Sequence, residues 1–169
     1  PYFFPYHNAL EWDHAIGPQN RLYNGDIVSI DTIALACHYI KDFAYDLDRH
    51  NPRIKDLDKI VNLCERRGWK VVFNILPENT EQIKTLVGPD LLYLMHRNTL
   101  YLQTRYGKKG VLIVDNLDQV CDRDFIDRTF PTEHYCQNGR QTVALNVAEA
   151  LSVVFPNDYH PKGSMNDNY

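Results

Sequence analysis

From Thr32 onward the apolar positions fall into runs of different period. Ile33, Ala36, Ile40, Phe43, Ala44 and Leu47 keep the three-and-four spacing of one helical face, with Asp31 or Thr32 able to cap its start. A second helix follows, with Asn51 as cap, Pro52 in the first position and a buried stripe of Leu57, Ile60, Val61 and Cys64. Glu65-Arg66-Arg67 then lead into Gly68 as its stop. Next comes Val71-Val72-Phe73-Asn74-Ile75-Leu76, a short and nearly continuous apolar run ended by Pro77. Such a run predicts a strand covered on both faces, and hence parallel to its neighbour. Asn79 or Thr80 opens a third helix, and residues 90–106 make a longer one through Leu91, Leu94, Met95 and Leu102. Gly107 and Gly110 flank a dibasic turn before the second strand, Val111-Leu112-Ile113-Val114. A long loop, residues 115–139, precedes a last helix carrying Val143, Ala144, Val147, Ala148 and Leu151.

The order α-α-β-α-α-β-loop-α is that of an α/β fold, in which strands joined through helices run the same way and end at one edge of the sheet. Two strands do not make a sheet that several helices can cover. Further strands are expected either within residues 1–30, with residues 26–30 a candidate, or on sequence upstream; the upstream source is favoured. Residues 1–26 are rich in Pro, Asn, Gly and Tyr without a steady period and read as an irregular arm. Residues 27–156 form the α/β part, and 157–169 a polar tail. The chain opens Pro1-Tyr2-Phe3-Phe4-Pro5, with neither a starting Met nor a signal-peptide core, and reads as beginning inside a longer protein.

Composition narrows the function classes. With 169 residues, 44% of them hydrophobic, the chain can bury a real core. Its net charge of −4 lacks the basic footprint of a nucleic-acid binder. No apolar run approaches the roughly 20 residues needed to span a bilayer. Cys37, Cys64, Cys121 and Cys136 share no metal-binding spacing and read as buried thiols, Cys37 and Cys64 on apolar helix faces. No cofactor motif is present, and no Gly-rich phosphate cradle. Asp115, Asp118, Asp122 and Asp124 lack the Gly and terminal Glu of an EF-hand loop, so no metal site is assigned to them. Tyr2, Phe3, Phe4, Tyr6, Trp12 and Tyr23 could stack on sugars, but read better as a flap packed on the sheet.

Ligands of open α/β sheets bind beyond the carboxyl ends of the strands. Those ends carry Glu78 and Asn79 after the first strand and Asn116 after the second, all expected to line a substrate pocket. The long loop closes on Asp127-Arg128-Thr129-Phe130-Pro131-Thr132-Glu133-His134-Tyr135, which sets carboxylates and an imidazole near the start of the last helix. An acid that orients a His, which activates a hydroxyl, is the second half of a serine-hydrolase triad. The plainer alternative leaves His134 as an ordinary helix-opening residue, with Asp127 and Glu133 only capping or solvating the loop.

The stretch from Asn51 to Leu151 resembles the C-terminal half of the SGNH/GDSL hydrolase superfamily. It is closer in style to the extracytoplasmic members related to the D-alanine transfer protein of teichoic-acid modification. The resemblance is carried by "KVVFNILPEN" (residues 70–79) and "FIDRTFPTEHYCQNGRQTVALNVAEAL" (residues 125–151), with Gly139, Ala144, Ala148 and Leu151 on the family's turn and final helix. It implies a three-layer α/β/α, flavodoxin-like parallel sheet, incomplete here, and an esterase or acyltransferase acting on an acylated saccharide or cell-envelope polymer outside the cytoplasm. It implies His134 as general base, Asp127 as its orienting carboxylate and Glu133 as the next choice. Two departures stand out. Pro131 occupies the place where the family commonly has its Asp. No Gly-Asp-Ser turn follows a strand: Ser29 in Gly25-Asp26-Ile27-Val28-Ser29 lies inside a possible strand, Ser152 in the last helix and Ser164 in the tail. The nucleophile is therefore expected upstream, and this segment alone is expected to be inactive. The other function class is a non-catalytic α/β module that binds saccharide or a protein partner.

Overall fold

The computed structural model describes residues 32–126, 128 and 134–155. The expected arm, the candidate strand at 26–30 and the polar tail lie outside the described residues. Among those described, the order is α1 (Thr32–Phe43), α2 (Pro52–Arg66), β1 (Val72–Ile75), α3 (Thr80–Leu86), α4 (Pro89–Gly107), β2 (Leu112–Asp115), a 3-10 turn (Asp122–Asp124) and α5 (Gln137–Val154). The protein is thus a mixed α/β fold. β1 and β2 pair in parallel, with Val72 opposite Leu112 and Ile75 opposite Asp115.

Local chemistry explains the boundaries. Asn51 caps α2 by accepting from the Arg53 amide at 2.9 Å, with Pro52 just inside the helix. Gly68 ends it at φ +67°, a left-handed conformation that costs glycine nothing. Asn79 caps α3 through its Oδ1, which accepts from the Gln82 amide at 3.1 Å.

The strands divide the core. Phe73 and Ile113, side by side in register, pack with Leu57, Val61, Leu102 and Tyr106 from α2 and α4. Ile75 joins Leu35, Tyr39, Ile83, Leu91 and Met95 in a cluster shared by α1, α3 and α4. Near the end of the other face, Asn74 meets Asn116, which in turn accepts from Asn146 of α5.

Four expectations need correction. The described residues do not cover β1 on both faces: Asn74 is exposed and Val72 only half-buried. The buried stripe of α1 is Leu35 and Tyr39, flanked by Phe43, while Ile33 is 77% and Ile40 47% exposed. Tyr39 sets that face. Its ring buries a large apolar area and its hydroxyl donates to Gln82 Oε1 at 2.6 Å, an arrangement an aliphatic count overlooks. The helix also stops at Phe43 rather than Leu47, because Asn98 of α4 draws the following segment inward. The Asn98 amide accepts from the Leu47 N–H at 2.9 Å and donates to the Tyr45 carbonyl at 2.7 Å. Lastly, Cys37 is exposed and Cys64 half-buried, so neither is an enclosed core thiol.

One ion pair staples α2 to α4. Arg105 donates to both oxygens of Asp58, at 3.0 and 2.5 Å. This forked pair holds the Asp58 carboxyl below its ordinary value. Burial, and then the nearby Asp58, pushes the Tyr106 hydroxyl up to about 12. A lowered carboxyl pKa means that the pair's stabilisation is present above the unfolded-state value and is lost as pH falls through the folded-state value. Asp58→Asn is therefore expected to lower the denaturation midpoint at neutral pH. Its deficit against wild type should begin to shrink as pH falls below about 4, where the unfolded-state carboxyl protonates, and vanish only below the lower folded-state value. Denaturation midpoints across an acid pH series check this.

Candidate functional site

Parallel pairing brings both strand ends to one edge. There the Asn116 amide donates to the Ile75 carbonyl at 3.1 Å, and the Glu78 amide donates to the Leu117 carbonyl at 3.0 Å. The two post-strand segments are thus laced together, and Glu78, Asn79 and Asn116 arrive in one neighbourhood.

Their environments differ. Glu78 is 8% exposed and lines a cavity of about 290 Å3 with Phe43, Tyr45, Leu76, Met95 and Asn98. Asn79 is buried, and both ends of its amide are engaged. Its Oδ1 caps α3, and its Nδ2 donates to Asp122 Oδ1 at 2.7 Å. Asn116 is fully enclosed. Its Nδ2 donates to Asn74 Oδ1 at 2.7 Å and its Oδ1 accepts from Asn146 Nδ2 at 2.6 Å. An amide enclosed and satisfied in this way ties β1, β2 and α5 together instead of facing a ligand. The pocket-lining role expected of Asn116 is replaced by that of a clamp.

The long loop is threaded onto this edge. Asp122 accepts from Asn79 and is also held by the forked guanidinium of Arg128, while its amide donates to Glu81 Oε1 at 3.2 Å. Gln82 donates to the Arg128 carbonyl at 3.2 Å and accepts from Tyr39. Two residues on, the Asp124 carbonyl accepts from the Cys136 amide at 2.7 Å, and the Ile126 amide donates to the His134 carbonyl at 2.8 Å. Phe125 and Tyr135 form an antiparallel bridge between these two bonds, their rings edge-to-face at 6.1 Å. His134 is exposed on the backbone that this bridge holds, directly before α5. Asp127 and Glu133 lie outside the described residues.

Gly139 and Arg140 explain how that backbone is held. A Cβ on Gly139 would lie 2.8 Å from Tyr135 Cβ and 3.1 Å from Val120 Cγ1, so only glycine lets the first turn of α5 close on Tyr135. Arg140 Nη1 donates to the Tyr135 carbonyl at 2.9 Å. The Gly-Arg pair thus backs the residue next to the imidazole.

Asp115, Asp118, Asp122 and Asp124 go to separate partners. Asp115 accepts from the Leu117 amide, Asp118 lies 3.4 Å from His96, Asp122 takes Asn79 and Arg128, and Asp124 faces the Cys136 thiol. Among the described residues no three His, Cys, Asp or Glu side chains converge where a metal could be held.

No family model, no curated protein and no solved structure matches this chain.

The neighbourhood contains residues that periodicity passed over. Asn74 interrupts an apolar run, and that polar interruption was its only sequence signal. Asn146 carried none, because a polar residue on a helix ordinarily reads as solvent-facing. Arg128 and Gln82 matter through contacts made across 46 positions of sequence.

Two outcomes follow from the clamp and the backing glycine. Asn116→Ala removes the fully enclosed link between Asn74 and Asn146 and is expected to cost about 1–3 kcal/mol in chemical denaturation. Gly139→Ala forces Tyr135 away from α5 and is expected to cost about 1–3 kcal/mol. It should also shift the His134 imidazole resonances in a histidine-detected NMR spectrum, whereas Gly107→Ala, with open space around it, should leave them in place.

Proposed function

We propose that this chain is the C-terminal portion of an SGNH-type esterase or acyltransferase acting on an acylated glycan or cell-envelope polymer outside the cytoplasm. The proposal includes a three-layer flavodoxin-like sheet completed by strands beyond the described residues, and a nucleophilic Ser on sequence preceding Pro1. The observation that carries it is the continuous set of contacts from the end of β1 to His134. Asn79 holds Asp122, the turn from Asp122 leads to Asp124, and the Phe125–Tyr135 bridge then fixes the His134 backbone ahead of α5.

In this reading His134 takes the proton of the serine hydroxyl as it attacks the acyl carbonyl, then returns it to the departing alcohol. Asp127, or Glu133 in its place, holds the other ring nitrogen and stabilises the imidazolium. Glu78 and Asn79 border the acyl acceptor or its carrier, with the cavity beside Glu78 available to apolar parts of the substrate.

A second reading keeps the scaffold without the chemistry, as a module binding saccharide or a protein partner. It draws on the internal engagement of Asn79 and Asn116, whose amides serve the fold.

Hydrolysis of p-nitrophenyl acetate by protein that includes the upstream sequence separates the two. On the enzymatic reading His134→Ala lowers turnover by about a thousandfold or more, with the folded state retained. Equal turnover in wild type and variant removes His134 from the chemistry, and no turnover in either, with no serine labelled by a fluorophosphonate, favours the binding module.

A further inference from the structure

The opposite edge of the sheet has a different chemistry. The chain enters β1 from the turn after α2 and enters β2 from the turn after α4, so parallel pairing brings both turns together at the amino ends of the strands. Between them lies a cleft of about 250 Å3 lined by Glu65, Gly68, Trp69, Lys70, Lys109 and Gly110. Arg66, Arg67, Lys70, Lys108 and Lys109 are all exposed around it, in a chain whose net charge is −4. None of the five takes part in an ion pair among the described residues, and Lys109 Nζ donates only to the neutral Asn62 Oδ1, at 3.0 Å. Glu65 is the one carboxylate lining the cleft. Trp69 is 55% exposed with the Arg67 guanidinium 4.8 Å above its ring.

Helix dipoles account for only part of this charge. Arg66 and Arg105 already stand in the last turns of α2 and α4, where a cation is favoured. Arg67 and Lys108 are the C-caps of those helices, whereas Lys70 and Lys109 lie beyond them, and the dipole gives no reason for a large indole to remain in water. We propose that this edge is a docking surface for an anionic lipid bilayer. An indole ringed by cations is the pattern of an interfacial anchor: the ring settles at headgroup depth while lysine and arginine meet the lipid phosphates and carboxylates. Among the described residues no helix is long and apolar enough to cross a membrane. A bilayer and a nucleic acid would both meet repulsion from the rest of this acidic chain, but the bilayer also offers the indole a seat at headgroup depth. Docking here leaves the edge of Glu78 and Asn79 turned away from the lipid, and the proposal stands whether or not that edge is catalytic.

The test is partition of the 169-residue chain onto phosphatidylcholine vesicles with and without phosphatidylserine, on a Trp12→Phe background so that Trp69 is the single indole. The expected result is binding only to the phosphatidylserine vesicles, weakened by salt, with a blue shift of Trp69 emission. Each neutralised lysine should weaken partition about fivefold, so Lys108→Gln with Lys109→Gln should weaken it about twenty-five-fold at unchanged circular dichroism. Trp69→Ala should weaken it while leaving the salt dependence in place. Equal binding to both vesicle types, no binding to either, or wild-type binding by the double lysine variant overturns the proposal. Capture by soluble inorganic polyphosphate without vesicle binding overturns it in favour of a free polyanion.

Discussion

Backbone hydrogen bonds join Val72–Ile75 to Leu112–Asp115 in parallel register, and a parallel pair has no hairpin to close it. The chain must leave the end of β1, return over the full length of α3 and α4, and enter β2 from the side on which β1 began. The rest of the arrangement descends from that requirement. Both carboxyl ends meet at one edge, both amino ends at the other, and the two edges acquire separate chemistry. Four residues per strand bring few ladder bonds, so other groups must hold the pair in place. Asn116 supplies the link at the carboxyl edge through Asn74 and Asn146, and the Phe73–Ile113 pair is sealed against Tyr106, whose ring meets Phe73 edge-on at 5.6 Å.

Enclosed polar side chains carry much of the tertiary organisation. Asn98 shapes the segment after α1, Asn79 recruits the long loop through Asp122, and Asn116 joins strands to α5. Each is an amide whose donor and acceptor are both used, which is the condition under which a polar group can be enclosed without a net penalty. The same economy separates side chains engaged inside the fold from those that border a cavity or the surface. Asn79 and Asn116 are committed inward, whereas Glu78 borders a cavity and His134 stands exposed on backbone pinned by the Ile126 amide.

The loop between β2 and α5 shows how a long connection stays ordered at its anchor points. Asp122 and Arg128 tie one side to α3, and Val120, Phe125, Tyr135 and Val143 form a small apolar cluster of their own. Gly139 lets α5 seat directly on that cluster. The imidazole is thereby carried on a local platform instead of hanging from an unsupported loop. A general base needs such support, and so does a histidine that only recognises a partner.

Sequence alone determined the elements whose signals are local. The Asn51-Pro52 start and Gly68 stop of α2, the two short apolar runs, their parallel sense and the meeting of Glu78 with Asn116 at one edge all follow from caps, periodicity and the geometry of helical crossovers. Other features needed contacts between distant residues. The buried face of α1 turned on Tyr39 finding Gln82, the end of that helix on Asn98 of α4, and the role of Asn116 on an asparagine thirty positions away in α5. Which side of a helix is buried, and whether a polar group ties or binds, depends on partners that no local spacing names. Only the folded chain brings those partners within hydrogen-bonding reach.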